Sequence, residues 1–179
     1  MREIALHILD IAQNSVTAGA TQIGIEVIED TVSDLLAVTV TDDGCGMPPE
    51  FLEKVIDLFT TKRTTRKVGL GIPLFKLAAE NTGGNFEITS EVGKGTVVKA
   101  VFVYSHIDRQ PLGNMAETIL GLVTSYENVN FVYTHKVNEK EFAFNTAEVK
   151  EILGDVPFGN PDVYLWLSEY LSEGEEELN

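Results

Sequence analysis

The sequence contains few cysteines and few basic residues, and it has no long hydrophobic run. A single cysteine, Cys45, excludes an internal disulfide and a cysteine-based zinc cluster in this 179-residue chain. Asp and Glu number 28 against 13 Lys and Arg, and the net charge of −15 argues against a nucleic-acid-binding protein. No apolar run approaches the ~18 residues of a membrane-spanning helix, and the first residues lack the apolar core of a signal peptide. We therefore expect a cytoplasmic protein with no nucleic-acid or membrane partner.

The negative charge is distributed unevenly along the chain. Residues 1–104 carry 14 acidic and 9 basic residues, whereas residues 105–179 carry 14 acidic and only 4 basic residues. Four bases of the first region fall within six positions and favour a local anion-binding site: Lys62, Arg63, Arg66 and Lys67. The glutamates between Glu173 and Glu177 indicate a solvated acidic end.

Hydrophobic periodicity predicts six helices and six strands, with a linker at residues 105–111. The predicted helices are at residues 3–17, 48–58, 71–81, 113–126, 146–153 and 161–171. The predicted strands are at residues 22–29, 35–41, 85–89, 96–104, 130–137 and 141–145. We place one domain at residues 1–104 and an α+β extension at residues 105–179. The extension is either a small docking domain or a hairpin that extends the sheet of the first domain.

Four short polar or glycine-rich features follow one another within the first hundred residues. On the first helix, Asp10 and Asn14 lie one turn apart, on the face that also carries His7. The other three are Asp42-Asp43-Gly44-Cys45-Gly46 after a strand, Gly69-Leu70-Gly71 before a helix, and Gly95-Thr96 at the start of a strand. Glycines before a helix let a phosphate approach the backbone N–H groups at the positive helix end. Each feature is a weak signal alone, but their order is specific.

The order Asn, DxGxG, GxG and GT closely resembles the Bergerat-type nucleotide-binding fold. That superfamily, called GHKL, includes gyrase B subunits, heat-shock chaperones, histidine kinases and MutL proteins. Residues 13–20 and 42–47 resemble the MutL pattern, residues 67–72 and 93–96 resemble a histidine-kinase catalytic domain, and residues 59–62 are similar to the kinase F-box. The resemblance implies an α+β fold, a two-layer α/β sandwich whose mixed sheet carries helices on one face. It also implies binding of ATP and Mg²⁺.

The resemblance assigns a role to each matching residue. Asn14 would hold Mg²⁺ through its carboxamide oxygen, because this cation prefers oxygen ligands. Asp42 would accept a hydrogen bond from the adenine amino group, and Thr96 would join it at the adenine edge. Gly44 and Gly46 would let the backbone approach the base, and Gly69 and Gly71 would contact the phosphates. One or more of the bases Lys62, Arg63, Arg66 and Lys67 would close over the phosphates, and we call the segment that carries them the lid.

Asp10 occupies the position at which hydrolytic members of the superfamily carry a glutamate that activates water. Aspartate is one methylene shorter, so two roles remain open for Asp10: the general base, or a supporting hydrogen-bond partner. His7, one further turn back, is expected to be a partly buried histidine or a partner of Asp10.

The resemblance favours a stand-alone histidine-kinase-like protein that transfers phosphate from ATP to a partner. The sequence shows no helical hairpin with a phospho-acceptor histidine, so the acceptor would lie on another protein or within residues 105–179. The partner would bind through the lid or through residues 105–179. Two alternatives remain: a nucleotide-gated binding module without catalysis, and a slow ATPase that uses Asp10.

Overall fold

A computed structural model of the protein describes residues 2–57 and 70–179. Within these ranges, the helices are α1 (Ile4–Thr17), α2 (Pro49–Ile56), α3 (Gly71–Glu80), α4 (Met115–Ser125), α5 (Thr146–Leu153) and α6 (Pro161–Glu176). The strands are β1 (Gln22–Asp30), β2 (Leu35–Asp42), β3 (Asn85–Glu91), β4 (Gly95–Val103), β5 (Asn130–Val137) and β6 (Lys140–Asn145). None of these helices has both the length and the apolar character needed to cross a bilayer.

The six strands form one mixed sheet in the order β3-β4-β2-β1-β5-β6. Neighbouring strands are antiparallel except β1 and β5, which are parallel. Along β1, Ile23, Ile25 and Val27 are buried, and the residues between them are only partly buried. This period of two shows that one face of the sheet carries the core.

The helices pack on the apolar face of the sheet. The stripe Ile4, Ile8 and Ile11 of α1 is buried in the same core as the inward side chains of the strands. Helix α1 contacts both α3 and α4, and α4 in turn contacts α6. The predicted α+β fold, a mixed sheet with a layer of helices on one face, is confirmed.

The C-terminal hairpin is part of the same sheet. Strand β5 pairs with β1 from Gln22 opposite Asn130 to Glu29 opposite Val137, and β6 then pairs with β5. Of the two arrangements that the sequence left open, the structure has the hairpin as an extension of the sheet. The division of the chain after residue 104 stays a prediction.

Helix α6 is longer than its sequence pattern predicts, and a glycine near its end packs against the sheet. The side-chain oxygen of Asn160 caps its first turn by accepting a hydrogen bond of 3.0 Å from the amide of Asp162. The helix continues to Glu176 rather than ending at residue 171. A Cβ at Gly174 would lie 2.2 Å from the Phe142 ring, so only glycine allows this contact.

The expectation of a fully solvated acidic end is wrong for Glu175. Its carboxylate accepts a hydrogen bond of 2.7 Å from the Tyr133 hydroxyl and lies 2.8 Å from Nδ1 of His135. The other ring nitrogen of His135 lies 2.9 Å from Glu29. Burial lowers the pKa of His135, but the hydrogen bonds and charges of Glu175 and Glu29 outweigh it and raise the pKa to about 9. The buried, positively charged His135 therefore holds Glu175 of the tail against the sheet.

Candidate functional site

A cavity of about 310 Å³ lies between α1, α2, the end of β2 and the starts of α3 and β4. Four of the predicted site residues line it: Asn14, Asp42, Gly46 and Thr96. Its apolar wall is formed by Ile11, Met47, Phe51, Val55, Ile72 and Val98. A mainly apolar cleft with a few fixed polar groups is the usual form of a small-molecule site, and this volume suits one.

Asp42 is fixed at the cavity wall by two donors. Its Oδ2 atom accepts a hydrogen bond of 2.5 Å from the Ser15 hydroxyl, and its Oδ1 atom accepts one of 2.9 Å from the amide of Gly44. A carboxylate has about four acceptor positions, so Asp42 retains capacity to accept a further donor from a ligand. Ser15 was not among the predicted site residues, although it follows Asn14 directly on α1.

Asp43, unlike Asp42, makes hydrogen bonds that connect two strands. Its carboxylate accepts hydrogen bonds from the Thr21 hydroxyl at 2.6 Å and from the amides of Thr21 and Gln22 at 2.8 and 2.9 Å. The Thr21 hydroxyl and these amides lower the pKa of Asp43. Asp43 thus joins the end of β2 to the start of β1, and only Asp42 of the pair lines the cavity.

The glycines of the turn after β2 allow it to pack against the β3–β4 turn. Gly46 has φ +67°, and a Cβ there would lie 2.0 Å from the carbonyl oxygen of Glu91. The two turns are also joined by a hydrogen bond of 2.8 Å from the Gly93 amide to the Cys45 carbonyl oxygen. A Cβ at Gly44 would lie 3.0 Å from Cβ of Ala18. Packing within the protein thus accounts for both glycines, and their contact with a base stays a prediction.

Thr96 is oriented by a residue that the sequence did not reveal. The Ser90 and Thr96 hydroxyls lie 2.8 Å apart, and the same Ser90 hydroxyl accepts a hydrogen bond of 2.8 Å from the Met47 amide. Ser90 stands opposite Thr96 in the β3–β4 ladder, and Thr96 stands opposite Asp42 in the β2–β4 ladder. The register of the predicted hairpin is therefore the signal that could have identified Ser90.

Asp10 and Gly71 are in contact at the other end of the site. The space that a Cβ on Gly71 would fill is occupied by Oδ2 of Asp10, which would lie only 1.6 Å from it. Gly71 is the first residue of α3, and no described side chain caps this helix end. Uncapped N–H groups at a helix N-terminus favour an anionic ligand. Asn14 is exposed one turn after Asp10 and lines the cavity, as does Ile72, the residue that follows Gly71.

Two predicted residues, Lys62 and Gly69, lie outside the described residues. The same is true of the rest of the basic cluster and of the residues similar to the F-box. Their roles toward phosphate stay predictions.

His7 is buried and does not face the cavity. Its Nε2 atom lies 3.0 Å from Oε1 of Gln110, and its ring stacks on Phe75 with the centroids 5.1 Å apart. Burial lowers the pKa of His7, which favours the neutral ring. Of its predicted roles, the structure supports the buried histidine.

The donor set fits a magnesium ion that is held mainly by a ligand's own oxygens. No group of three or more His, Cys, Asp or Glu side chains in residues 2–57 and 70–179 is arranged to hold a metal ion. Asn14 lines the cavity, and its side chain contains a carboxamide oxygen. Mg²⁺ commonly takes one or two protein oxygens and completes its shell with phosphates and water, and Asn14 can supply one such oxygen.

The first part of the chain matches a known protein family. Residues 1–105, more than half of the chain, match the sequence profile described as "Histidine kinase-, DNA gyrase B-, and HSP90-like ATPase". The matched range contains the site residues from Asp10 to Thr96.

Two curated relatives are named as sensor proteins. The chain is 32% identical over 103 residues to a predicted sensor protein of Shewanella frigidimarina, covering 56% of this chain and 16% of that protein. It is 27% identical over 108 residues to a predicted NtrY-like sensor histidine kinase of Rickettsia conorii, covering 60% of this chain and 18% of that protein. The chain therefore spans less than a fifth of the length of these relatives.

The fold is also found in a solved structure. The ATPase domain of Aquifex aeolicus MutL, complexed with ADP, superposes with a TM-score of 0.50 at 17% identity. The superposition covers 86% of this chain and 69% of that one, so it extends beyond residue 105. At this identity, the likeness concerns the fold.

Proposed function

The chain belongs to the histidine kinase-, DNA gyrase B- and HSP90-like ATPase family, and we propose that it is a protein kinase of the histidine-kinase-like type. Its ATP-binding domain would take Mg-ATP into the cavity beside Asp42 and pass the terminal phosphoryl group to a partner protein. The observation that carries this proposal is the grouping of Asn14, Asp42 and Thr96 around one cavity that reaches the first turn of α3, where no described side chain caps the helix.

The Asp42 end of the cavity suits adenine. Ser15 and Gly44 orient the carboxylate of Asp42, and its remaining acceptor positions can take the amino group of an adenine ring. Guanine presents a carbonyl oxygen at the corresponding place, which a carboxylate would repel. The apolar wall, with Met47 and Val98, covers the faces of a flat ring. This end supports ATP over GTP.

The Asn14 end suits the phosphates. Asn14 would provide an oxygen ligand for Mg²⁺. The start of α3 at Gly71, which no described side chain caps, would offer backbone N–H groups to phosphate oxygens. The cation supplies positive charge that offsets the phosphate charge during transfer. In such a reaction the protein contributes mainly by positioning the groups and by electrostatic stabilisation.

A slow ATPase is the second candidate, and the position of Asp10 favours it. Its carboxylate lies against Gly71, the residue before Ile72 of the cavity wall, and one helical turn before Asn14. In this proposal the terminal phosphate would lie beside that carboxylate. As general base, Asp10 would take a proton from a water molecule while the water oxygen attacks the terminal phosphorus and ADP leaves. We prefer the kinase because one of the relatives that match this domain is named as a sensor histidine kinase.

One labelling experiment separates these candidates. The purified full chain is incubated with [γ-³²P]ATP and Mg²⁺, with and without an extract of the source cells. The kinase predicts label on a protein band, the ATPase predicts label in free phosphate, and a binding module predicts intact ATP.

Asn14→Ala and Asn128→Ala are the matched variants for that experiment. Asn14 lines the cavity, whereas Asn128 is an exposed residue of the α4–β5 loop. We expect Asn14→Ala to remove Mg-ATP binding and labelling, and Asn128→Ala to retain both. Tight Mg-ATP binding by Asn14→Ala would contradict the site. Equal labelling of the protein band with both variants would contradict the proposal that this chain is the kinase.

A further inference from the structure

Helix α6 exposes Leu165 and two aromatic side chains, Trp166 and Tyr170, and these two rings form the α6 aromatic surface. These side chains are 60%, 41% and 41% exposed. The Trp166 and Tyr170 rings are stacked, with the centroids 5.5 Å apart and the planes 18° from parallel. Tyr170 also contacts Phe142 of β6, with the centroids 5.7 Å apart. The α6 aromatic surface is therefore supported from behind by the edge strand of the sheet.

The core contacts of α6 do not include Trp166. The helix is held on the core by Val163, Leu167 and Leu171, which are spaced four residues apart and buried. At 100° per residue, Trp166 lies about 100° from the centre of that stripe. Tyr170 lies about 60° from it, and its ring contacts Phe142 and Phe144 of β6. Exposed tryptophan and tyrosine side chains in a cluster are typical of protein interfaces, because each offers a large rigid contact area with few rotatable bonds.

The charge around the surface indicates what would cover it. The 16 residues of α6 include no Lys or Arg. Asp162, Glu169 and Glu173 are exposed and lie within about 60° of Trp166 around the helix axis, at 100° per residue. No ion pair with a described residue neutralises any of these three carboxylates.

We propose that the α6 aromatic surface binds a basic segment of a partner protein. An arginine or lysine of the partner would lie over the Trp166 ring and pair with Glu169, because tryptophan is the strongest cation–π acceptor. A second base about 6 Å further along would meet Tyr170 and Glu173 one helical turn later. This surface goes beyond the proposed kinase function and is independent of the ATP cavity.

Other occupants fit the surface less well. A purely apolar partner would bury the carboxylates of Asp162, Glu169 and Glu173 without a counter-charge, which is costly. A second copy of this chain in a twofold contact would bring the same carboxylates together. A nucleic acid would present charge of the same sign.

The test uses the fluorescence of Trp166, which is the single tryptophan of the chain. The full chain is titrated with an alanine-based helical peptide that carries two arginines four residues apart, and with the same peptide carrying two glutamines. We expect a saturable change with the arginine peptide that weakens with added salt, and no change with the glutamine peptide. Equal responses to both peptides, or no response up to about 1 mM, would overturn the proposal.

Charge-matched variants locate the binding. Glu169→Gln with Glu173→Gln should weaken binding about fivefold or more, since two exposed charge pairs are lost. Glu148→Gln with Glu151→Gln removes the same charge from α5 and should change binding less than twofold. Similar losses of binding in both double variants would show that only the net charge of the protein matters, and would overturn the assignment of the peptide to α6.

Two further measurements address the ring itself and self-association. Trp166→Ala should lose binding in calorimetric titrations while its thermal unfolding shows that it is folded. If that variant is unstable, Trp166→Phe, which keeps a weaker ring, should show intermediate affinity. Fluorescence that changes with protein concentration in the absence of peptide would show that a second copy occupies the surface and would overturn the proposal.

Discussion

The Ser15 hydroxyl donates a 2.5 Å hydrogen bond to Oδ2 of Asp42 and so connects helix α1 to the end of β2. Ser15 is buried, whereas Asp42 is half-buried at the cavity wall. The residue that would read the base is thus oriented by a residue of the helix that carries Asn14.

Replacing Ser15 by alanine tests this orientation. We expect Ser15→Ala to weaken ATP binding about three- to tenfold, because one donor to Asp42 is lost at a cost of about 1 kcal/mol. Asp42→Asn should have a larger effect and should reduce the preference for ATP over GTP. Equilibrium binding of both nucleotides measures this, with Ser125→Ala at the exposed end of α4 as control. Unchanged ATP affinity in Ser15→Ala would show that Asp42 does not depend on Ser15.

The contact between Asp10 and Gly71 predicts coupling between their substitutions. In Gly71→Ala the new methyl group displaces the Asp10 carboxylate, and we expect a loss of about 1 kcal/mol in unfolding free energy. In Asp10→Ala with Gly71→Ala the clash is gone, so the double variant should lose less than the two single variants combined. Urea unfolding of the four proteins measures the coupling.

Gly121 provides the control for that series. It lies in the middle of α4, and nothing lies within 4 Å of the place where its Cβ would be. Gly121→Ala should leave the stability unchanged or raise it by about 0.5–1 kcal/mol, because alanine favours helix more than glycine does. Additive losses in the Asp10 and Gly71 series would show that the two residues do not compete for the same space.

The packing of the two turns predicts unequal costs at Gly46 and Gly93. Both have positive φ, +67° and +81°, so alanine is strained at each by about 1 kcal/mol. At Gly46 the Cβ would also lie 2.0 Å from a backbone oxygen, whereas at Gly93 it would meet nothing within 4 Å. We expect Gly46→Ala to lose about 3 kcal/mol or more and Gly93→Ala about 1 kcal/mol in urea unfolding. Similar losses would show that backbone strain alone decides both positions.

The position of His135 between Glu29 and Glu175 predicts that stability falls at alkaline pH. The folded-state pKa of about 9 exceeds the unfolded value near 6.5, so the stabilisation is complete below about pH 6.5 and is lost as the pH rises through 9. The expected loss is about 3 kcal/mol. Tyr133 does not titrate in this range, because burial and the neighbouring Glu175 raise its pKa.

Urea unfolding between pH 6 and 10 measures this dependence. His135→Gln with Glu175→Gln removes the buried charge together with one partner, so the difference between wild type and this variant isolates the contribution of His135. We expect the variant's unfolding free energy to vary much less between pH 7 and 9.5. An equal slope in both proteins would show that other groups cause the dependence.

Much of the fold follows from local sequence patterns. The stripe of Ile4, Ile8 and Ile11 and the alternation of Ile23, Ile25 and Val27 are the signals that predict α1 and β1, and both elements are found within one or two residues of the predicted bounds. The order of strands in the sheet could not be obtained in this way. The pairing of β1 with β5 depends on contacts between residues far apart in the chain, and periodicity does not record them.

The sequence predicted several residues that line the cavity, but not the serines that orient them. Asn14, Asp42, Gly46 and Thr96 meet at one cavity, as the resemblance implies, although their roles stay predictions. Ser15 was missed because a serine that holds a carboxylate has no sequence pattern of its own. Ser90 could be found only from the hairpin register that places it opposite Thr96. The prediction that Glu175 is solvated was wrong because its partners, Tyr133 and His135, are about 40 residues away in the sequence. Local patterns do not record such distant contacts.

The parallel pairing of β1 with β5 also affects how the protein is made on the ribosome. Gln22 pairs with Asn130, 108 positions later, so a nascent chain that has emerged only as far as residue 105 holds β1 with one edge unpaired. An open edge offers N–H and C=O groups to any extended segment nearby. This edge of β1 can be paired only after residues 130–137 have emerged, and until then other extended segments can occupy the place of β5.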